Sequence, residues 1–318
     1  MEDEQHHHLV RPESKSESQS EKDSPPHSQS KGEMAVGERE SHSSSHHSHH
    51  QHHHSAPIQT TTSTVTTSMI PASIIYNFNV QFDPAIPLAG KPTILRLMVT
   101  EQKVGEPIKD FDVIHDKLMH LIIVNREDLS YFAHIHPKLD SETGIFHIEH
   151  TFAEAGKYKM WIDAKPKGGM QTLTAFTFNV EGQPIHFPAT IAHEQTRVKS
   201  VDAEGQSYQV ALNCQPEQLA VGRNIKMTFE IKDANGKPIT NLEPLMAAGG
   251  HCVIIDADGR EFLHVHPAEE VHDGVNWRGG PSVSFLANFP KAGLYRAWGQ
   301  FQHEGRLLTV DFTFEVAK

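Results

Sequence analysis

The sequence predicts an all-β protein: two tandem Greek-key β-sandwiches of immunoglobulin type behind a disordered, His-rich N-terminal tail. Three observations predict it. The chain of 318 residues is only 37% apolar overall, yet residues 69–318 hold nearly all the Ile, Leu, Val and Phe and every Trp, enough for two cores of ordinary size. That part of the chain repeats itself, and each copy reads as about seven short runs of alternating β-branched and aromatic residues. Nothing in the repeats has sustained helical periodicity with caps.

Residues 1–68 are built from Ser, His, Glu, Gln, Lys and Thr. Such a segment cannot bury enough apolar surface to offset its ordering entropy, so it is expected to be disordered. It carries 12 of the 25 histidines, densest in "HSSSHHSHHQHHHS". Adjacent imidazoles chelate nickel or copper readily. Low-complexity drift accounts for the same composition; as an expression tag, "HHH" at His6 to His8 is too short and the second cluster too irregular.

The first sandwich is expected over 69–182 and the second over 207–318. Between them, 183–206, with "GQPIHFPATIAHEQ", reads as a linker or an outlying strand. "VGEPIKDFDVIHDKLMHLIIV" aligns with "NGKPITNLEPLMAAGGHCVII" without gaps from Gly105/Gly236 to His120/His251. "DLSYFAHIHP" then matches "DGREFLHVHP", and "TFAEAGKYKMWIDAKPKGG" matches "NFPKAGLYRAWGQFQHEG". "AGKY" and "AGLY" fit tight turns into strands, with Tyr158 and Tyr295 as corner tyrosines bonding nearby backbone. Trp161 and Trp298 are expected in the cores.

The formal charge of −12, with an acidic excess also in the folded part, argues against nucleic acid or an anionic membrane as partner. Cys214 and Cys252 are too few for a disulfide framework. No run has the length of a membrane-spanning helix. "MEDEQHHHLV" has neither a basic n-region nor an apolar h-region, so the default expectation is a cytoplasmic protein. No Ser-His-Asp or Cys-His nucleophile, phosphate loop or paired carboxylates stand out, and no enzymatic activity is expected.

The chemistry lies in the histidines. His134 and His136 are two apart on one strand, so both project from one face. The preceding strand carries His120. A five-residue loop, Asn125 to Leu129, pairs Val124 with Ser130 and sets His120 directly opposite His134. In the second copy a four-residue loop, Asp256 to Gly259, sets His251 opposite His264, beside His266. One three-imidazole site per sandwich is therefore expected, for copper first or zinc second. Asp128 and Asp258 are placed to hold a ligating ring through its second nitrogen. Cys252 and Met119 should point away, and Gln300, Gln302 and His303 are candidates for outer ligands. His147 and His150 lack counterparts in the second copy and are read as surface. His115, His186, His193 and His272 are given no role. A single His-x-His is more often a polar strand face, and a duplicated gene copies structural histidines too. The retention of all three in both copies, amid changed neighbours, favours metal.

The hairpin with "H…DLSYFAHIHP", the turn "AGKY" and the closing "WGQFQHEGRLLTVDFTFEV" resemble bacterial immunoglobulin-like modules of the YtkA-like and FixH-like type, often encoded near metal-handling systems, copper above all. The resemblance covers both repeats and none of the tail. It implies a non-enzymatic, extracytoplasmic role in metal handling or assembly, with ligand roles on His120, His134, His136, His251, His264 and His266. The absence of a recognisable export signal departs from that pattern. The module is similar in logic to small copper carriers but lacks the cupredoxin set of Cys, His and Met. Two other classes compete: a structural or interaction pair of sandwiches with no metal, and a cupin-type metalloenzyme, whose His-x-His motif "GREFLHVHPAEE", ending on Glu270, approaches in one copy only.

Overall fold

A computed structural model describes residues 75–183, 191–265, 267, 271 and 274–318. The His-rich tail, His186, His266, Glu270 and His272 lie outside the described residues. The described chain is all-β. The first repeat contributes β1 (Tyr76–Asp83), β2 (Pro92–Glu101), β3 (Phe111–Asp112), β4 (Met119–Asn125), β5 (Phe132–Ile135), β6 (Lys138–Asp140), β7 (Ile145–Thr151), β8 (Gly156–Pro166) and β9 (Thr172–Val180). Its two sheets have the orders β1-β2-β7-β6 and β3-β8-β4-β5, with β9 on the other edge of β8. The second repeat contributes β10 (Val198–Ala203), β11 (Gln206–Gln215), β12 (Asn224–Asp233), β13 (His251–Asp256), β14 (Phe262–Val265), β15 (Ser282–Asn288), β16 (Gly293–His303) and β17 (Arg306–Val316). Its sheets have the orders β10-β11-β12-β15 and β14-β13-β16-β17. All these pairings are antiparallel. Val198–Ala203, in the segment read as linker or outlying strand, pairs with β11 along its length.

Each sandwich has its own core. In the first, Leu95, Leu97 and Phe146 of one sheet meet Leu121, Ile123, Met160 and Ile162 of the other. In the second, Phe229 and Phe285 meet Ile254, Phe301 and Phe312. The tyrosines close their corners: Tyr158 donates to the Glu154 carbonyl (2.8 Å) and Tyr295 to the Lys291 carbonyl (2.9 Å).

A third apolar cluster decides the rest of the architecture. Strands β4 and β13 are buried at every residue rather than alternately. Side chains alternate between the two faces of a strand. Met119, Leu121 and Ile123 enter the first core, while Ile122 and Val124 face the other way, onto Val253 and Ile255 of the second repeat. Trp161 and Trp298 belong to this cluster rather than to either sandwich core. The two sandwiches thus pack sheet against sheet through equivalent surfaces, like the isologous interface of a symmetric dimer. The contacts come in matched pairs. Phe132 stacks on Trp298 at 4.7 Å, and Phe262 stacks on Trp161 at 5.1 Å. Arg296 donates to the Leu129 carbonyl (2.8 Å) at one hairpin turn, and Lys159 donates to the Gly259 carbonyl at the other.

The interface explains one local departure. Leu129 occupies the place of Gly259 and shares its left-handed backbone, with φ of 54° against 63°. Glycine adopts that conformation freely, whereas leucine does so at a cost. Leu129 is fully buried between the sandwiches, and that burial offsets the strain.

Trp298→Ala is expected to cost roughly 3–5 kcal/mol because it opens a cavity in this interface and removes the stack on Phe132. Leu286→Ala, on the exposed face of β15, should cost less than about 0.5 kcal/mol. Urea denaturation of the two variants beside the parent measures both.

Candidate metal centre

The face of the first repeat that carries Ile122 and Val124 ends in histidine. On β4 the same side of the strand runs His120, Ile122, Val124, and on the partner strand it runs Phe132, His134, His136. The period of two therefore delivers three imidazoles to one end of the apolar interface. His120 Nδ1 lies 3.0 Å from His134 Nε2, and His136 Nε2 lies 3.2 Å from each of them. Among the described residues, this is the one group of three His, Cys, Asp or Glu side chains close enough to hold a metal ion.

Bonds on the far sides of the rings set what the near sides offer. His120 is buried and donates Nε2–H to the Ile114 carbonyl (2.8 Å), so Nδ1 carries its lone pair inward. Gln300, reaching from β16 of the second repeat, donates its amide NH2 to Thr309 Oγ1 (3.1 Å). Its Oε1 therefore faces His134 and accepts Nδ1–H at 2.9 Å. His134 Nε2 in turn carries a lone pair inward. Two lone pairs thus approach each other across 3.0 Å, an arrangement relieved by Nε2–H of His136, which lies 3.2 Å from both, or by a cation in place of that proton. With metal–nitrogen bonds of about 2.0–2.1 Å, the three nitrogens would subtend roughly 91–106° at an ion. Three imidazoles on one side leave the opposite side open for a further ligand.

Burial favours the neutral form of His120 and His136. Desolvation pulls the His136 imidazole down to about 3, helped by the neighbouring charges of His120, Lys117 and His251. Desolvation also lowers His120, against the opposing pull of its bond to Ile114 and the charge of Asp163. A ligating imidazole must be neutral, so the site is ready for metal at neutral pH.

The second repeat repeats part of this. His251 is buried, donates Nε2–H to the Leu245 carbonyl (3.1 Å) and turns Nδ1 to 3.4 Å from His264 Nε2. The two sets adjoin across the interface instead of standing one inside each sandwich: the His134 ring is 5.5 Å from that of His264 and 5.8 Å from that of His251. The sequence could not place them so, because it does not show how the sandwiches meet.

Several expectations are corrected. The hairpin register is slipped by two residues, with Val124 opposite Phe132 and Ile122 opposite His134, so His120 comes level with His136 rather than His134. The second hairpin slips equally, with Val253 opposite His264. The loops keep five and four residues but start one residue later, as the bonds Asn125 N–H to Tyr131 O and Asp256 N–H to Glu261 O show. An even slip preserves the face, which is why the histidines still meet. Asp128 does not orient a ring: its carboxylate accepts from the Ser130 amide (2.9 Å) and shapes the turn. Asp258 is exposed beside Lys291, 3.5 Å away. Backbone carbonyls take the orienting role instead. Gln300 supports a ligand, and His303 turns to the core side, bonding Tyr208 and Asn241. Met119 and Cys252 are fully buried in the cores, away from the histidine face as alternation requires. His150 is not a surface residue but is half-buried against Tyr131.

The sequence reading missed His115. Its ring lies 6.1 Å from that of His120 and 6.0 Å from those of His251 and His264, so it stands at the junction of the two sets. The search for histidines shared by both copies passed over it because Met246 occupies its place. A comparison by ligand chemistry, imidazole against thioether, would have found it.

The lowered histidines make stability depend on pH. Between the ordinary histidine value of about 6.5 and about 3, His136 stays neutral in the folded chain while the unfolded chain binds a proton. The unfolded state then holds more protons, so stability falls as pH falls through that window. The thermal midpoint of the metal-free protein should drop from pH 7.5 to 4.5, and His136→Asn should flatten the slope. Scanning calorimetry at stepped pH measures both.

Nothing matches among curated proteins. Solved structures give distant likenesses: the Escherichia coli adhesin FdeC at 14% identity and TM-score 0.24, over 76% of this chain and 64% of that one; native E. coli alpha-2-macroglobulin at 12% and 0.25, over 75% and 16%; and the Yersinia pseudotuberculosis adhesin InvE at 11% and 0.21, over 74% and 58%. The chain spans less than two thirds of each, and likeness at these scores carries no argument about function. A family model matches two stretches, 72–182 and 199–318, one over each repeat. The chain therefore belongs to the family described as Domain of unknown function (DUF8832).

Proposed function

We propose that this is a non-catalytic metal-binding protein, for copper first and zinc second, that sequesters, senses or delivers its ion. The observation that carries the reading is the triangle of His120 Nδ1, His134 Nε2 and His136 Nε2, with edges of 3.0–3.2 Å. Far-side hydrogen bonds turn two of its lone pairs inward. Three imidazoles suit copper or zinc, and the affinity order of divalent ions favours copper. The resemblance to YtkA-like and FixH-like modules supports a metal-handling role in an extracytoplasmic setting, with a metal-handling or assembly protein as partner. A cupin-type enzyme draws no support from the open sheets, which do not close into a barrel.

A structural pair of sandwiches without metal is the second reading, favoured by the apolar cluster that continues from the histidines into the interface. Titration separates the two. The full chain should take up Cu(II) or Zn(II) in a tight class and, through its tail, a weak one. His134→Ala with His136→Ala should remove one tight equivalent and leave the weak class unchanged. Loss of no tight equivalent in isothermal titration would falsify the metal reading and leave the structural one.

A further inference from the structure

We infer that Met246, from the second repeat, supplies a thioether ligand to the His120–His134–His136 site and biases it toward Cu(I). The inference rests on the metal-binding reading above and deepens it.

Two equivalent turns carry the argument. Ile114 and Lys117 exchange backbone hydrogen bonds of 2.8 and 3.0 Å, and Leu245 and Ala248 do the same at 2.7 and 3.0 Å. The two central residues of each turn have positive φ: 46° and 65° at His115 and Asp116, 49° and 59° at Met246 and Ala247. This is the geometry of a type I′ turn, which strongly prefers Asn, Asp and Gly. Methionine followed by alanine is a poor choice for it, and a strained backbone kept with unsuited side chains points to a use for the side chain.

The placement of the turns shows the use. The first turn carries His115 across the interface to within 6.0 Å, ring to ring, of His251 and His264 in the second repeat. The second turn carries Met246 the opposite way. Met246 lines one cavity of about 430 Å³ together with His134, His136, Lys117, Gln300 and Gln302. Met246 therefore borders the same space as two of the three histidines. Its long unbranched side chain has the rotational freedom to reach an ion there. Each turn is also tied to the histidines by its first carbonyl, Ile114 O to His120 and Leu245 O to His251.

The chemistry follows from the donor set. Three imidazoles alone accept Zn(II), Cu(II), Ni(II) or Fe(II). A thioether is a soft donor that binds Cu(I) well and Zn(II) poorly. Three nitrogens and one sulfur thus turn a general site into a copper site made by both repeats: imidazoles from the first, the sulfur and the Gln300 support from the second.

The test uses the full chain loaded anaerobically with one equivalent of Cu(I), and Met246→Leu, a swap that keeps volume and removes sulfur. X-ray absorption of the parent should show one sulfur bound to copper, lost in Met246→Leu. Competition with a chromophoric Cu(I) chelator should show affinity falling at least tenfold in the variant, while Zn(II) affinity changes less than twofold. Only nitrogen around copper in the parent overturns the inference whatever the variant does. So does a sulfur signal that persists in Met246→Leu, since another sulfur, such as that of the exposed Met170 or of Met1, Met34 or Met69, would then be its source. If neither ion is lost on His134→Ala with His136→Ala, the metal-binding reading itself fails. Zn(II) lost on that change, with Cu(I) indifferent to Met246→Leu, overturns this inference alone.

Discussion

The two sheets that meet between the repeats are buried on both faces, and most of the site follows from that constraint. A strand buried on one face can leave its other face to water and polar side chains. Strands β4 and β13 cannot, and they are apolar on both sides from Leu121 to Val124 and from Cys252 to Ile255, with His120 and His251 toward one end and Asn125 and Asp256 at the other. A polar group in such a place must find partners. His120 and His251 find them in the carbonyls of tight turns, and His134 finds one in Gln300 of the other sandwich. Those bonds select the tautomers, and the tautomers turn ring lone pairs toward a common centre. Packing therefore precedes chemistry: without the second sandwich His134 loses its orienting partner and the cavity loses a wall.

How much of this was legible in the sequence depended on which physical rule governed each part. The fold class, the duplication and the facing of His120, His134 and His136 follow from strand alternation, which is local. The register did not, because side chain-to-backbone bonds at Asp128 in the first loop and at Asp256 in the second, with the left-handed Leu129 and Gly259, shape the two turns. The error was harmless to the site because a slip of two residues leaves every side chain on its face. The burial of Trp161 and Trp298 is legible but their layer is not, since hydrophobicity does not say which of two apolar faces a residue fills. The roles of Gln300, Ile114 and Leu245 were out of reach for a related reason. An orienting amide from another domain leaves no spacing pattern, and a backbone carbonyl leaves no residue type at all.

His115 was missed through the method that found the others. Matching identical residues between copies rewards what duplication has kept, whereas this interface also uses what the copies have changed. His115 answers to Met246, Leu129 to Gly259, and Asp163 to Gln300, each pair in equivalent backbone positions. In these pairs, residues facing the other repeat differ while their backbone stays the same, so the two halves of the junction are not chemically interchangeable.

That inequality bears on the charge a bound ion brings. The triad of the first repeat offers neutral donors, and the side chain that orients His134 is a neutral amide. Asp163, opposite His120 on the neighbouring strand, is buried, held through both carboxylate oxygens by Gln171, and exerts its charge on His115 and His120. Burying an ion is costly in proportion to the charge left uncompensated. Asp116 and Lys117 also line the cavity, and the charge of Lys117 lowers His120 and His136, so the charges around the triad offset one another and do not single out a monovalent ion. If the proposed site takes copper, a preference for Cu(I) over a divalent ion therefore rests on the soft thioether proposed at Met246 rather than on charge.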